Sequence, residues 1–298
     1  MPDVAGSGKM GVFMGTVDLD LLLPFVSKPS RYVSGEWNSV RKSHAGRVRV
    51  ALCYPDVNEI GLANLGIEIL YHLMNQRDDV ACERLYVPWV DLEARLRAKG
   101  WPALSHESRT PVGEFDLIGF TLQHELCNTN LLTLLDLGGI GLTAADRLER
   151  GLKGGKSPLI IVGGPSVSNA EPMADYLDAA VLGDGEEALG EIVDVVKRAG
   201  PSGLTTERET LLRELANIPG VYVPWLYEPD GSGRVAPRVA GIPDRIARRY
   251  VNVETSFYPT APIVPFTQAV HDRLSLEIMR GCTRGCRFCQ VGMLTRPL

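Results

Sequence analysis

Histidine and cysteine are scarce in this chain. Its 298 residues hold five of the first and six of the second, and neither occurs after Cys289. So few thiols exclude a disulfide-stapled scaffold. No apolar run is long enough to cross a bilayer, the longest being "LDLLLPFV" at 19–26. The start lacks the basic, apolar and small-residue pattern of a secretory leader, which places the protein in the cytoplasm, where thiols stay reduced. Positive charge is also lacking: the net charge is -5, so there is no evident nucleic-acid patch and no membrane-binding field.

What is present is an alternating rhythm. Residues 1–46 form an amino-terminal arm without strong periodicity. From "RVRVALCYP" (47–55) short β-rich runs alternate with amphipathic stretches. The expected strands are 47–54, 83–88, 115–122, 158–164 and 178–183, with helices at 61–76, 91–99, 126–136, 171–177 and 186–198. This is the pattern of an α/β, doubly wound, Rossmann-like parallel sheet over 47–200, whose ligands bind at the carboxyl ends of the strands. Nine of the twenty prolines fall between 201 and 265. That density suggests a hairpin, at 220–227 and 234–240, and then an extended linker reaching 273. "RLSLEIMRGC" alternates Leu274, Leu276 and Ile278 with Ser275 and Glu277, as a strand feeding a loop would.

That loop, "RGCTRGCRFC" (280–289), gathers half of the cysteines. Cys282, Cys286 and Cys289 have the spacing of a buried helix face, but Gly281, Gly285 and the intervening arginines argue against a helix. A structural zinc would need a fourth ligand, for which only a distant residue such as His271 is a candidate. An iron–sulfur cluster on three cysteines is the third reading, with Arg280, Arg284 and Arg287 favouring thiolates and one iron left open. Cys53, Cys82 and Cys127 lie in apolar segments and read as buried structural thiols.

"CTRGCRFC" resembles the C-x3-C-x-aromatic-C motif of radical S-adenosylmethionine (radical SAM) enzymes, with Phe288 in the aromatic place. The resemblance implies that Cys282, Cys286 and Cys289 bind a [4Fe-4S] cluster whose open iron chelates S-adenosylmethionine, for cleavage to a 5'-deoxyadenosyl radical. "YPDVNEIGLANLG" (54–66) is similar to the cobalamin pattern D-x-H-x-x-G through Asp56, Asn58 and Gly61. Asn58 stands at the histidine position, which implies cobalamin without a protein ligand to cobalt, or no cobalamin. Thr121 after the third strand, Gly163 and Gly164 after the fourth, and Gly183, Gly185 and Glu186 in "LGDGEEAL" complete the set that such domains turn toward the corrin.

The resemblance runs from about residue 45 to 298 and is to B12-binding-domain radical SAM proteins. It implies small-molecule cofactors and an unspecified substrate, methylated or rearranged by radical chemistry. Residues 274–298 would begin a radical SAM (β/α) barrel of which only the first strand and cluster loop are present. The chain then reads as an amino-terminal fragment, inactive alone. The alternative is a Rossmann-like ligand-binding module whose terminal cysteines hold zinc or sense redox state.

Overall fold

The structure is a computed structural model that describes residues 17–271 and 273–296. Its centre is a sheet of β1 (Val48–Tyr54), β2 (Val80–Tyr86), β3 (Leu117–Thr121), β4 (Leu159–Gly163), β5 (Ala179–Val181) and β6 (Val221–Tyr222), in the order β2-β1-β3-β4-β5-β6. The first five are parallel and β6 is antiparallel to β5. Helices α1 (Asn58–Gly61), α2 (Leu65–Asn75), α3 (Val90–Lys99), α4 (Asn128–Leu137), α5 (Ala144–Leu152), α6 (Glu186–Gly203) and α7 (Arg208–Leu215) connect the strands.

Strand residues are buried on both faces, which is why the runs are continuously apolar rather than alternating. Val50 and Leu52 face a core shared with Ile67, Tyr71 and Met74 of α2, Ile192 and Val196 of α6, and Leu211 and Leu215 of α7. Ala51 and Cys53 face the opposite core, with Leu92 and Leu96 of α3, Leu131 and Leu134 of α4, and Leu19 and Leu22 of the arm. Each such aliphatic side chain contributes about 1.5–3 kcal/mol by leaving water. All three isolated cysteines are buried, and burial pushes the Cys53 and Cys82 thiols up.

The sheet also encloses charge. Asp178 Oδ2, fully buried, accepts from Arg147 Nε (3.0 Å), Arg208 Nη2 (2.8 Å) and the amide of Ile160 (2.7 Å). This node ties α5, α7 and the amino ends of β4 and β5 together. On the edge strand, Arg84 is buried between Glu107 and Glu36, the latter carried by the arm.

Several expectations need correction. The second strand spans 80–86 rather than 83–88: it begins at Val80, paired with Val48, and ends at Tyr86, paired with Tyr54, and Glu83 and Arg84 within it are buried with ionic partners. Two helices rather than one separate β3 from β4; α5 starts at a capping box between Thr143 and Asp146. The stretch 171–177 forms a 3-10 helix, Glu171–Tyr176, whose start is punctuated by a proline. Of the hairpin expected at 220–227 and 234–240, only the end of the first segment pairs with the second, Tyr227 opposite Pro237. Val221 and Tyr222 extend the main sheet, and a smaller hairpin of β7 (Tyr227–Pro229) and β8 (Val235–Pro237) lies beyond it.

The expected strand before the cysteines is not formed. Leu274, Leu276 and Ile278 alternate as read, but no neighbouring strand pairs with them among the described residues, and they are 70%, 69% and 87% exposed. The connector leading there is nonetheless fastened. Arg249 bridges to Gly183, Val264 pairs with Trp37 of the arm, and Ser30 Oγ donates to Thr267 Oγ1 at 3.2 Å. Among the described residues no helix is long and apolar enough to cross a membrane.

Candidate functional site

The chain passes from β1 to β2 on one side and then to β3 on the other, which makes a crevice at the carboxyl ends of the strands. A cavity of about 310 Å³ occupies this place. Leu52, Gly119 and Ile161 form its floor and Ile67, Leu70 and Leu189 its apolar walls. Its polar rim is Asn64, Thr121, Gln123 and the turn Gly183–Glu186. Asn64 caps α2, its side-chain oxygen accepting from the Ile67 amide at 2.9 Å, and Gln123 Nε2 donates to Thr121 Oγ1 at 2.6 Å.

Six of the residues named from the sequence line this cavity together: Thr121, Gly163, Gly164, Gly183, Gly185 and Glu186. Gly183 cannot be another residue without strain. Its φ is +108° and an added Cβ would lie 1.9 Å from the Arg249 carbonyl oxygen. The other three are elsewhere. Asn58 is 2% exposed and borders a separate, smaller cavity beside Tyr86 and His106, its amide oxygen and nitrogen both without a hydrogen-bond partner among the described residues. Gly61 packs under Tyr86, where a Cβ would come within 2.5 Å of the ring. Asp56 turns its carboxylate to the Val57 amide at 2.7 Å.

The cysteine segment reaches the same cavity through Arg280. Its guanidinium donates to Glu186 Oε1 (2.5 Å) and to Glu277 (2.8 and 2.9 Å), and lies 3.5 Å from Asp184 Oδ1. The hydrogen bond with Glu277, then that with Glu186, raises the pKa of Arg280 against the opposing effect of burial. Arg280 and Glu277 themselves line the cavity. Beyond them residues 281–289 are not helical, which removes the helix-face reading, and a single turn α8 (Val291–Leu294) follows. The Cys282 amide donates to the Thr295 carbonyl at 3.1 Å. This return passes so close that a Cβ at Gly281, φ +90°, would stand 2.2 Å from the same oxygen.

Residues 66–224, more than half of the chain, match the family described as "Radical SAM proteins, N-terminal". This chain belongs to that family. The matched span covers most of the cavity and ends before the cysteine loop, so membership of the radical SAM amino-terminal family rests on the sheet and not on the motif. An uncharacterized protein of Methanocaldococcus jannaschii is 27% identical over 253 residues, 83% of this chain and 42% of that protein. The chain thus spans less than half of that relative's length. The solved radical S-adenosylmethionine methyltransferase TsrM from Kitasatospora setae aligns with 59% of this chain and 28% of its own, at 16% identity and a TM-score of 0.35. That likeness is too loose to place any residue.

For a cluster, the radical SAM family's cofactor, the donor set fits. All three thiols of the loop are free, and the Arg284 amide donates to Cys282 Sγ at 3.4 Å, as amides do to the sulfurs of such clusters. The sulfurs stand apart in this conformation: no three His, Cys, Asp or Glu side chains gather into a metal site among the described residues. His271 is hydrogen-bonded to Arg273 at 3.2 Å. For a corrin, the cavity offers an apolar floor and open space above Gly163, while Asn58 is turned away. Sequence reasoning missed Asp184, Glu277 and the specific role of Arg280. Their complementary charges, within two quoted motifs, were the available signal.

Proposed function

We propose that this chain is the cofactor-holding front of a radical SAM enzyme. Cys282, Cys286 and Cys289 hold a [4Fe-4S] cluster, and the cavity at the strand ends takes part of a cobalamin without a protein ligand to its metal. The chemistry such a cluster supplies, with S-adenosylmethionine bound, is one-electron cleavage of the sulfonium to a 5'-deoxyadenosyl radical; cobalamin would add methyl transfer. This chain's own residues bind and orient. Arg284 directs an amide at the first sulfur, Gly163 leaves room for a flat ring, and the Gly183–Glu186 turn forms the polar edge.

The observation that carries this reading is the shared wall. A residue two positions before Cys282 lines the cavity built by the family's sheet. The separation into an arm (1–46), a cofactor domain (47–200), a linker (201–273) and the start of a catalytic unit (274–298) belongs to the same proposal. Leu274, Leu276 and Ile278, exposed and unpaired, suit an edge to which further strands of the whole protein add. Methylation or rearrangement of an unspecified substrate is the reaction class proposed for the whole protein.

Anaerobic reconstitution with iron and sulfide tests the cluster. Iron and acid-labile sulfide should bind and be lost in Cys282→Ala, Cys286→Ala and Cys289→Ala; stoichiometric zinc instead would support a structural site and overturn the reading. Titration with hydroxocobalamin tests the cavity, and an unchanged corrin spectrum at high protein concentration would remove cobalamin from the proposal.

A further inference from the structure

We propose that Arg280 is a positioning residue that locks the cysteine loop to the cavity wall, so that filling the cavity and ordering the loop are coupled events. The cluster part of this statement rests on the function proposed above; the mechanical part does not.

Three observations carry it. First, Arg280 bridges two distant parts of the chain. Asp184 comes from the turn before α6, Glu186 from its first position, and Glu277 from the segment that enters the loop. Glu186 is 9% exposed and lines the cavity, so a ligand that shifts its carboxylate shifts the Arg280 bond as well. Second, the loop is tied to its own end. Cys282 is bonded to Thr295 across Gly281, and Arg248 donates to the Leu294 carbonyl at 2.8 Å while lying 3.7 Å from Asp184. Asp184 is therefore flanked by two arginines that each hold one end of the loop. Third, no other arginine of the motif substitutes: Arg284 and Arg287 make no ion pair among the described residues. Gln290 adds only a neutral contact, donating to Ser168 Oγ at 3.0 Å.

A side chain that bridges two sites couples them reciprocally. Whatever ordering the cavity's occupant confers on the loop, an ordered loop returns to the occupant's affinity. Rim and loop thus behave as one element, joined through the ionic contacts of Arg280. A purely stabilising ion pair would change global unfolding; a positioning pair changes local exchange in the loop.

Hydrogen exchange on the full chain tests this. In Glu186→Gln and in Arg280→Ala, peptides covering 279–289 should exchange about tenfold faster, in the range expected for interaction within one charge network. Peptides from β1 and β3 should be unchanged, which controls for folding. Arg280→Lys should be intermediate. Wild-type exchange in 279–289 in both single variants would overturn the proposal. Hydroxocobalamin then serves as the cavity probe. It should slow exchange in 279–289 in the wild type and not in Arg280→Ala; binding that leaves the loop's exchange unchanged would overturn the coupling. If the wild type takes up neither iron nor corrin, the proposed function falls, while the comparison of variants still decides whether Arg280 positions the loop.

Discussion

The sheet and the segment that follows it solve the burial problem in opposite ways. Between Val48 and Val223 nearly every large apolar side chain is covered on one of two faces, and even the charges of Asp178, Arg147 and Arg208 are enclosed and paired. From Val264 to Met293 the reverse holds: Phe266, Val270, Leu274, Leu276, Ile278 and Phe288 are all exposed. The first region is specified by its own residues. The second has the composition of an interior without the neighbours that would make it one, and its position depends on a few polar ties.

The largest break in this contrast lies at Asp178. In Asp178→Asn two buried guanidinium groups lose their counter-charge, and urea unfolding should register a loss of about 3–5 kcal/mol. Acid acts on the same node. Burial pushes the Asp178 carboxyl up, but the charges of Arg147 and Arg208 outweigh it and hold the carboxyl below its usual range. Asp116 is lowered in the same sense, burial being outweighed by Lys156 and Arg49. With folded pKa values below the unfolded ones, both groups stabilise the fold above the ordinary carboxylate range of about 4 and lose that contribution as pH falls through their folded values. Thermal scans should therefore hold steady at neutral pH and fall steeply below about pH 4; a flat acid limb in the wild type would contradict it.

A smaller effect separates the two regions more cleanly. Gly183→Ala places a methyl group against the Arg249 carbonyl and should cost about 1–3 kcal/mol of local stability. Limited proteolysis should then cut the connector around 245–253 while the sheet remains resistant. Smaller still is Asn58→Leu, which removes an amide that has no partner inside a packed wall. It should be neutral or raise stability by about 1 kcal/mol in a chemical melt, and it should leave hydroxocobalamin titration unchanged if Asn58 is remote from the cavity. Last, Ile278→Ser should alter the unfolding free energy in a urea melt by less than about 0.5 kcal/mol, since its side chain is already in water.

How much of this was legible depended on whether a residue's role was local. Strand and helix rhythm, the turns at Gly163–Gly164 and Gly183–Glu186, and the cysteine loop are local patterns, and six of the nine residues named for the cavity do meet there. Asn58 and Gly61 kept the right spacing within a motif, yet Gly61 packs against Tyr86 and Tyr54, on separate strands, and Asn58 faces the smaller cavity beside Tyr86. The burial of Glu83 and Arg84 was not legible for a related reason, because the partners that permit it, His44, Glu36 and Glu107, are remote in sequence. The segment 274–279 had the period of a strand, but pairing is a property of two segments, and periodicity reports one.

The contacts between the arm and the connector bear on the order in which the molecule assembles. Trp37 meets Val264, and Ser30 meets Thr267 across 237 positions of sequence. Contacts of such separation close late, after the local β/α pairings have shortened the path between them. On a ribosome this seam cannot form until residue 267 has emerged, when the sheet is already synthesised in full. The cysteines emerge later still, so the front of the chain is in place to receive the loop before there is any loop to receive.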